Sequence, residues 1–168
     1  MSISAKDVKA LRDATGAGMM DAKKALTECD GDMEAATQLL REKGLAKAAA
    51  RGDRENNEGT IALASNGSSA ALVQIKTETD FSAKNEAVTG LAQTLADAVL
   101  ADGPAAIEAL TSQIEDLQVT IKENIAVGAV ERIEPADGST IDTYLHVQDG
   151  RGVNAVVVEG CGVSAEDL

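Results

Sequence analysis

The 168-residue chain has no tryptophan, one phenylalanine, one tyrosine, one histidine and two cysteines. Aromatic rings therefore cannot build its core. The 44% of hydrophobic residues, much of it Ala, must pack through Leu, Ile, Val and Met between closely set, thin helices. One His cannot supply the His/Cys ligand set of an ordinary metal cage, so no cofactor is expected on that ground. Cys29 and Cys161 alone make no disulfide framework, which suits a reducing compartment. No run of about 18 apolar residues is present, so no membrane span is expected. Met1-Ser2-Ile3-Ser4-Ala5-Lys6-Asp7 lacks the apolar segment of a secretory signal. There is no G-x-x-x-x-G-K-[ST], which excludes a P-loop. Gly16-Ala17-Gly18 follows a helical pattern, and Gly150-Arg151-Gly152 precedes a strand pattern, so neither has the context of a dinucleotide loop.

Positive charge is scarce in one part of the chain only. Residues 1–54 carry 10 Lys/Arg against 9 Asp/Glu, whereas residues 55–168 carry 5 against 19, giving the formal net charge of −13. This asymmetry points to two modules, 1–54 and 55–168. The acidic module repels phosphate backbones and the first has no dense basic stripe, which argues against direct nucleic-acid binding.

The first module reads as three short helices. Ser4 and Asp7 form a capping-box pattern ahead of a helix to Thr15, with Val8 and Leu11 inward. Helix resumes over Met19–Cys29 with Ala22, Ala25 and Leu26 on one face. Asp32 can cap a third helix, Met33–Lys43, with Ala36, Leu39 and Leu40 inward and Gly44 as its stop. Leu45–Glu58 is a polar linker whose first half can be helical. Adjacent Met19 and Met20 cannot both face a small core, so at least one is expected at the surface, where flexible thioethers serve recognition.

The period then changes to two residues. Gly59–Ser65 and Ala70–Thr77 are strands joined at Asn66-Gly67, a hairpin signal. A long helix is expected over Asn85–Ala101, with Val88, Leu91, Ala92, Leu95, Ala98 and Val99 as its apolar stripe. A shorter one runs from Pro104 to Leu110, and Ser112–Asn124 is helical in part. Strands follow at Ile125–Ile133, Thr140–Gln148 and Val153–Glu159. The whole is α+β: a helical bundle, then a mostly antiparallel sheet with helices on one face. Ser164 and Asp167 suggest the start of a further helix that does not follow, so the expectation is either a truncated chain or one that ends where a longer relative continues.

No catalytic set stands out. His146 and Cys161 could in principle form a thiolate pair, but a strand His and a small core Cys are the simpler reading. The sequence thus points to a surface, and the corner Thr79-Asp80-Phe81 is its most unusual point, since it spends the chain's only phenylalanine between a strand and a helix. Asp80 could cap the helix while Phe81 folds back as an anchor. Alternatively, both could project as a probe for another protein.

Two stretches carry a family resemblance. Val8–Leu26, reading VKALRDATGAGMMDAKKAL, and Glu78–Asn85, reading ETDFSAKN, resemble the two signatures of the elongation factor Ts family, in the expected order. The resemblance implies a ubiquitin-associated-like three-helix domain at 1–54 and a dimerisation-type core at 55–168. It implies a cytoplasmic exchange factor, not an enzyme, acting on the GDP-bound GTPase elongation factor Tu, with homodimerisation possible. The positions matching partner contacts are Arg12, Met19, Met20, Thr79, Asp80, Phe81, Ile121 and His146, Asp80 and Phe81 entering near the nucleotide and its Mg²⁺. Lys122 departs from the pattern, which has Gly there. An alternative is a ubiquitin-associated-like binding module on an acidic scaffold, without exchange activity.

Overall fold

Capping side chains set the starts of the first and third helices. The computed structural model describes residues 3–164, 167 and 168. Helix α1, Ala5–Thr15, starts on a reciprocal box: Asp7 N–H donates to Ser4 Oγ and Ser4 N–H to Asp7 Oδ2, both at 3.2 Å. Gly16 ends it in the left-handed conformation, φ 66°. Helix α2 spans Met19–Glu28, and α3 spans Met33–Ala49 with the Asp32 carboxylate accepting from the amides of Glu34 and Ala35. Val8, Leu11, Ala22, Ala25, Leu26, Ala36 and Leu40 form one buried cluster, with Leu39 at its margin. Leu11 and Leu26 are fully enclosed, each worth about 1.5–3 kcal/mol of transfer free energy.

Gly44 does not stop α3. The helix runs on through Leu45-Ala46-Lys47-Ala48-Ala49, all good helix formers apart from the glycine itself. Gly44 instead lets α3 approach α6, Thr111–Ile121: a Cβ added there would stand 2.7 Å from Val119 Cγ1. Arg41 reinforces the contact, 3.2 Å from Asp116 and 3.8 Å from Glu115.

Strands β1, Glu58–Ser65, and β2, Ala70–Thr77, pair antiparallel around the Asn66–Ser69 turn, and β2 pairs antiparallel with β3, Ala126–Ile133. Helix α5, Glu86–Asp102, lies on this three-stranded sheet. It buries Val88, Leu91, Ala92, Leu95, Ala96 and Val99 against Ala62, Ala64, Ala71, Val73 and Ile75. Ala98, placed on the stripe by periodicity, is only half-buried, and Ala96 takes its role. A 3-10 helix, Pro104–Leu110, leads into α6.

The remaining strands make a second sheet instead of extending the first. β4, Ser139–Gln148, and β5, Arg151–Cys161, form a two-stranded antiparallel hairpin. It seats on β1 through Gly152, whose missing side chain admits the Ile61 carbonyl oxygen in direct contact. Arg151 donates to Gly59 O at 2.8 Å and pairs with Glu58 at 3.1 Å. The fold is α+β, with three N-terminal helices, two antiparallel sheets, and further helices inserted in the chain between β2 and β3. The helix start expected at Ser164–Asp167 includes residues 165 and 166, outside the described set; Ser164 Oγ does donate to Asp167 Oδ2 at 2.5 Å.

Candidate functional site

The strand-to-helix corner is a single helical turn held from several sides. Helix α4 is only Asp80–Ala83. Its N-cap is Thr79, whose Oγ accepts from Ser82 N–H at 3.2 Å, so Asp80 is the first helical residue and not the cap. Ala83 is fully buried and pins the turn to the sheet. Phe81 does not fold back: it is 82% exposed, the most exposed large apolar side chain among the described residues. The Phe81 ring therefore stands in solvent and does not anchor the corner.

Asp80 is tied down instead of reaching outward alone. Lys84 Nζ donates to Asp80 Oδ2 at 2.8 Å and stands 3.4 Å from Asp149 at the β4–β5 tip. The Lys84 hydrogen bond, opposed by some burial and helped by the charges of Lys84 and Arg151, holds the Asp80 carboxyl below its ordinary value. The same Asp80 bond, partly offset by burial and joined by Asp149, holds the Lys84 ammonium above its own. An exposed aromatic thus stands beside a carboxylate that stays ionised and a cation that stays charged.

A second set of bonds fixes the entry to the corner. Glu123 Oε1 accepts from Thr79 Oγ at 2.7 Å, and its Oε2 accepts the backbone N–H groups of Glu78 at 3.1 Å and Thr79 at 3.2 Å. Burial would raise the Glu123 carboxyl, but these bonds together with one from Ser82 outweigh it and set the carboxyl below its ordinary value. Glu78 Oε1 in turn accepts Asn124 N–H at 2.6 Å, and Arg54 lies 3.5 Å from Glu78. Asn124 Nδ2 donates to the carbonyls of Gly52 and Arg54 at 3.1 and 2.6 Å.

The other sequence-predicted residues fall around this corner and on α1–α2. Met19 and Met20 are both exposed, 46% and 65%, so neither serves the core. Arg12 is half-buried, its guanidinium 2.5 Å from Asp13. Ile121 is the last residue of α6, partly buried against the core beside the Lys122–Asn124 turn. His146 is exposed on β4, its Nδ1 3.1 Å from Tyr144 Oη, three positions before Asp149. The structure therefore gathers Thr79, Asp80, Phe81, Ile121 and, through the hairpin tip, His146 around one end of the sheets. Arg12, Met19 and Met20 sit apart on α1 and α2, and the Asp13–Gly18 segment between them lines a cleft of about 780 Å³ together with Thr120 and Lys122.

A thiolate pair is ruled out. His146 is registered opposite Asn154 and Cys161 opposite Ser139, so seven positions, about 23 Å of strand, separate them. Cys161 is also exposed, not a core residue. Sequence reasoning missed Glu78, Lys84, Glu123 and Asp149. No local period marks them, and in a chain with 28 acidic residues no single carboxylate stands out.

Residues 78–167, which run from the corner through the hairpin, match the family described as Elongation factor TS. The chain belongs to the elongation factor Ts family. Its sequence is 41% identical to the elongation factor Ts of Lactococcus lactis subsp. lactis (strain IL1403) over 168 aligned residues, covering 94% of this chain and 49% of that relative. The chain thus spans about half the length of the curated relative it matches. Within this elongation factor Ts family chain, the corner lies at the start of the matched region and the α1–α2 loop lies before it.

Proposed function

We propose that this chain promotes release of GDP from the GTPase elongation factor Tu, with Asp80 and Phe81 as the inserting element. The observation that carries the reading is the 82% exposure of Phe81 on a turn that is otherwise pinned, by Ala83, Lys84 and Glu123. A solvated phenyl ring on a fixed mount loses little conformational freedom on docking and gains the full burial of its ring. Arg12, Met19 and Met20 on the 1–54 module form a second contact region, with Thr79, Ile121 and His146 flanking the first on the 55–168 module. The chain acts in the cytoplasm, as a monomer or homodimer, without contacting nucleic acid directly.

The mechanism is one of linkage. Exchange factor and GDP bind the same GTPase in states that disfavour one another, so each weakens the other by the same coupling free energy. An inserted Phe81 displaces the segment that positions Mg²⁺, and the diphosphate loses its charge compensation. No covalent bond changes. The experiment is release of labelled GDP from elongation factor Tu with and without the intact chain. Acceleration is expected, with most of it lost in Phe81→Ala; a chain that leaves the release rate unchanged overturns the reading.

A further inference from the structure

The direction in which Phe81 points is not set by Phe81. At 82% exposure its ring has almost no packing partner. Nor is it set by the helix that carries it, because a four-residue turn has no stability of its own. It is set at the turn's two ends. Ala83 and the Lys84–Asp80 bond hold the C-terminal end. At the N-terminal end, three donors of Glu78 and Thr79 converge on one carboxylate, Glu123, from 44 and 45 positions away in the chain.

We infer that Glu123 is a positioning residue for the exchange reaction: it aims Phe81 at the partner by clamping Glu78 and Thr79. The inference rests on the function proposed above. A carboxylate suits this role because it only accepts, and all three groups facing it donate. A glutamine there would turn its amide donors toward part of the same set. The clamp is also coupled to the first module. Glu78 returns a bond to Asn124, Asn124 holds the carbonyls of Gly52 and Arg54, and Arg54 faces Glu78. The segment leaving α3 and the segment entering α4 thus close on the same Glu123-Asn124 turn. Arg12, Met19 and Met20 on one side and Phe81 on the other are thereby presented in a fixed relation.

None of these bonds lies in either buried cluster, so loss of the clamp should misdirect the corner without unfolding the sheets. The test uses the full chain as wild type, Glu123→Gln, Phe81→Ala and the double variant. Release of a fluorescent GDP analogue from elongation factor Tu is measured against chain concentration, and backbone amide exchange is followed in the free chain. Glu123→Gln should lower the limiting release rate about 10-fold or more, the scale expected for a misplaced reacting group. The half-saturating concentration should move much less, since the α1–α2 contacts remain. Amide exchange at Glu78 and Thr79 should quicken while Val73 and Ile75 in β2 stay protected. In the Phe81→Ala background, Glu123→Gln should cost nothing further. A wild-type release rate in Glu123→Gln, or an equal loss with and without Phe81, overturns the positioning role. If the wild-type chain accelerates nothing, the exchange reading falls instead, and unchanged protection at Glu78 and Thr79 would then overturn the clamp as well.

Discussion

Gly44 and Val119 meet where α3 crosses α6, at a spacing that leaves no room for a Cβ: one added to Gly44 would lie 2.7 Å from Val119 Cγ1. Alanine in a helix interior ordinarily gains about 1 kcal/mol over glycine. Here the overpacking, about 1–3 kcal/mol, should win. Gly44→Ala is expected to lower the urea midpoint. With Val119→Ala in place, the same Gly44→Ala should become stabilising, a sign reversal readable in a double-mutant cycle.

Lys122 caps α6 in the left-handed region, φ 65° and ψ 27°. A non-glycine residue there bears roughly 1–2 kcal/mol of strain, against about 0.5–1 kcal/mol of extra chain freedom that glycine loses on folding. Lys122→Gly should therefore stabilise by about 0.5–1 kcal/mol and raise the melting temperature by about 1–4 °C. Differential scanning calorimetry checks it; a lowered melting temperature would refute the strain argument.

These two positions show what was legible in the sequence. Periodicity placed all three N-terminal helices, the Asn66-Gly67 hairpin and α5, because each depends on spacing within one segment. Gly44 was misread as a stop because its reason for being glycine, Val119, lies 75 positions away. Strand patterns alone put the last two strands into one sheet with the rest, whereas they pair only with each other and meet β1 at the close approach of Gly152 to Ile61 O. At the corner the sequence reading gives the cap to Asp80, whereas Thr79, one residue earlier, takes it by accepting from Ser82 N–H. Glu123 was invisible for the same reason as Val119: its meaning is wholly tertiary.

Phe81 separates stability from function. With its ring 82% exposed, Phe81→Ala should change unfolding free energy by no more than about 0.5 kcal/mol. GDP release should nonetheless lose most of its acceleration. A large stability loss would mean that the ring is anchored after all.

The Asp80–Lys84 pair gives a pH signature. The Asp80 carboxyl sits below its usual 3.8, chiefly through the Lys84 hydrogen bond. A carboxylate depressed on folding contributes stability that is present above its unfolded value and lost as pH falls through the folded one. Carboxyl ¹³C titration should find Asp80 ionised below pH 3.8 in the wild type, and moved up toward 3.8 in Lys84→Met. The acid limb of the urea-midpoint curve should be shallower in that variant.

The two buried clusters also impose an order of assembly. The first is complete at Leu40, whereas the second needs residues as late as Ile125. At about 5–20 residues per second, the ribosome takes roughly 4–17 s to cover the interval. Throughout it, α1–α3 can already be folded while β2 still lacks its neighbour β3, Ala126–Ile133. The face of α3 around Gly44 waits as well, since Val119 emerges near the end of that interval. The nascent chain thus carries a finished bundle core ahead of an unfinished sheet, and synthesis of α6 and β3 covers the waiting face of α3 and the open edge of β2.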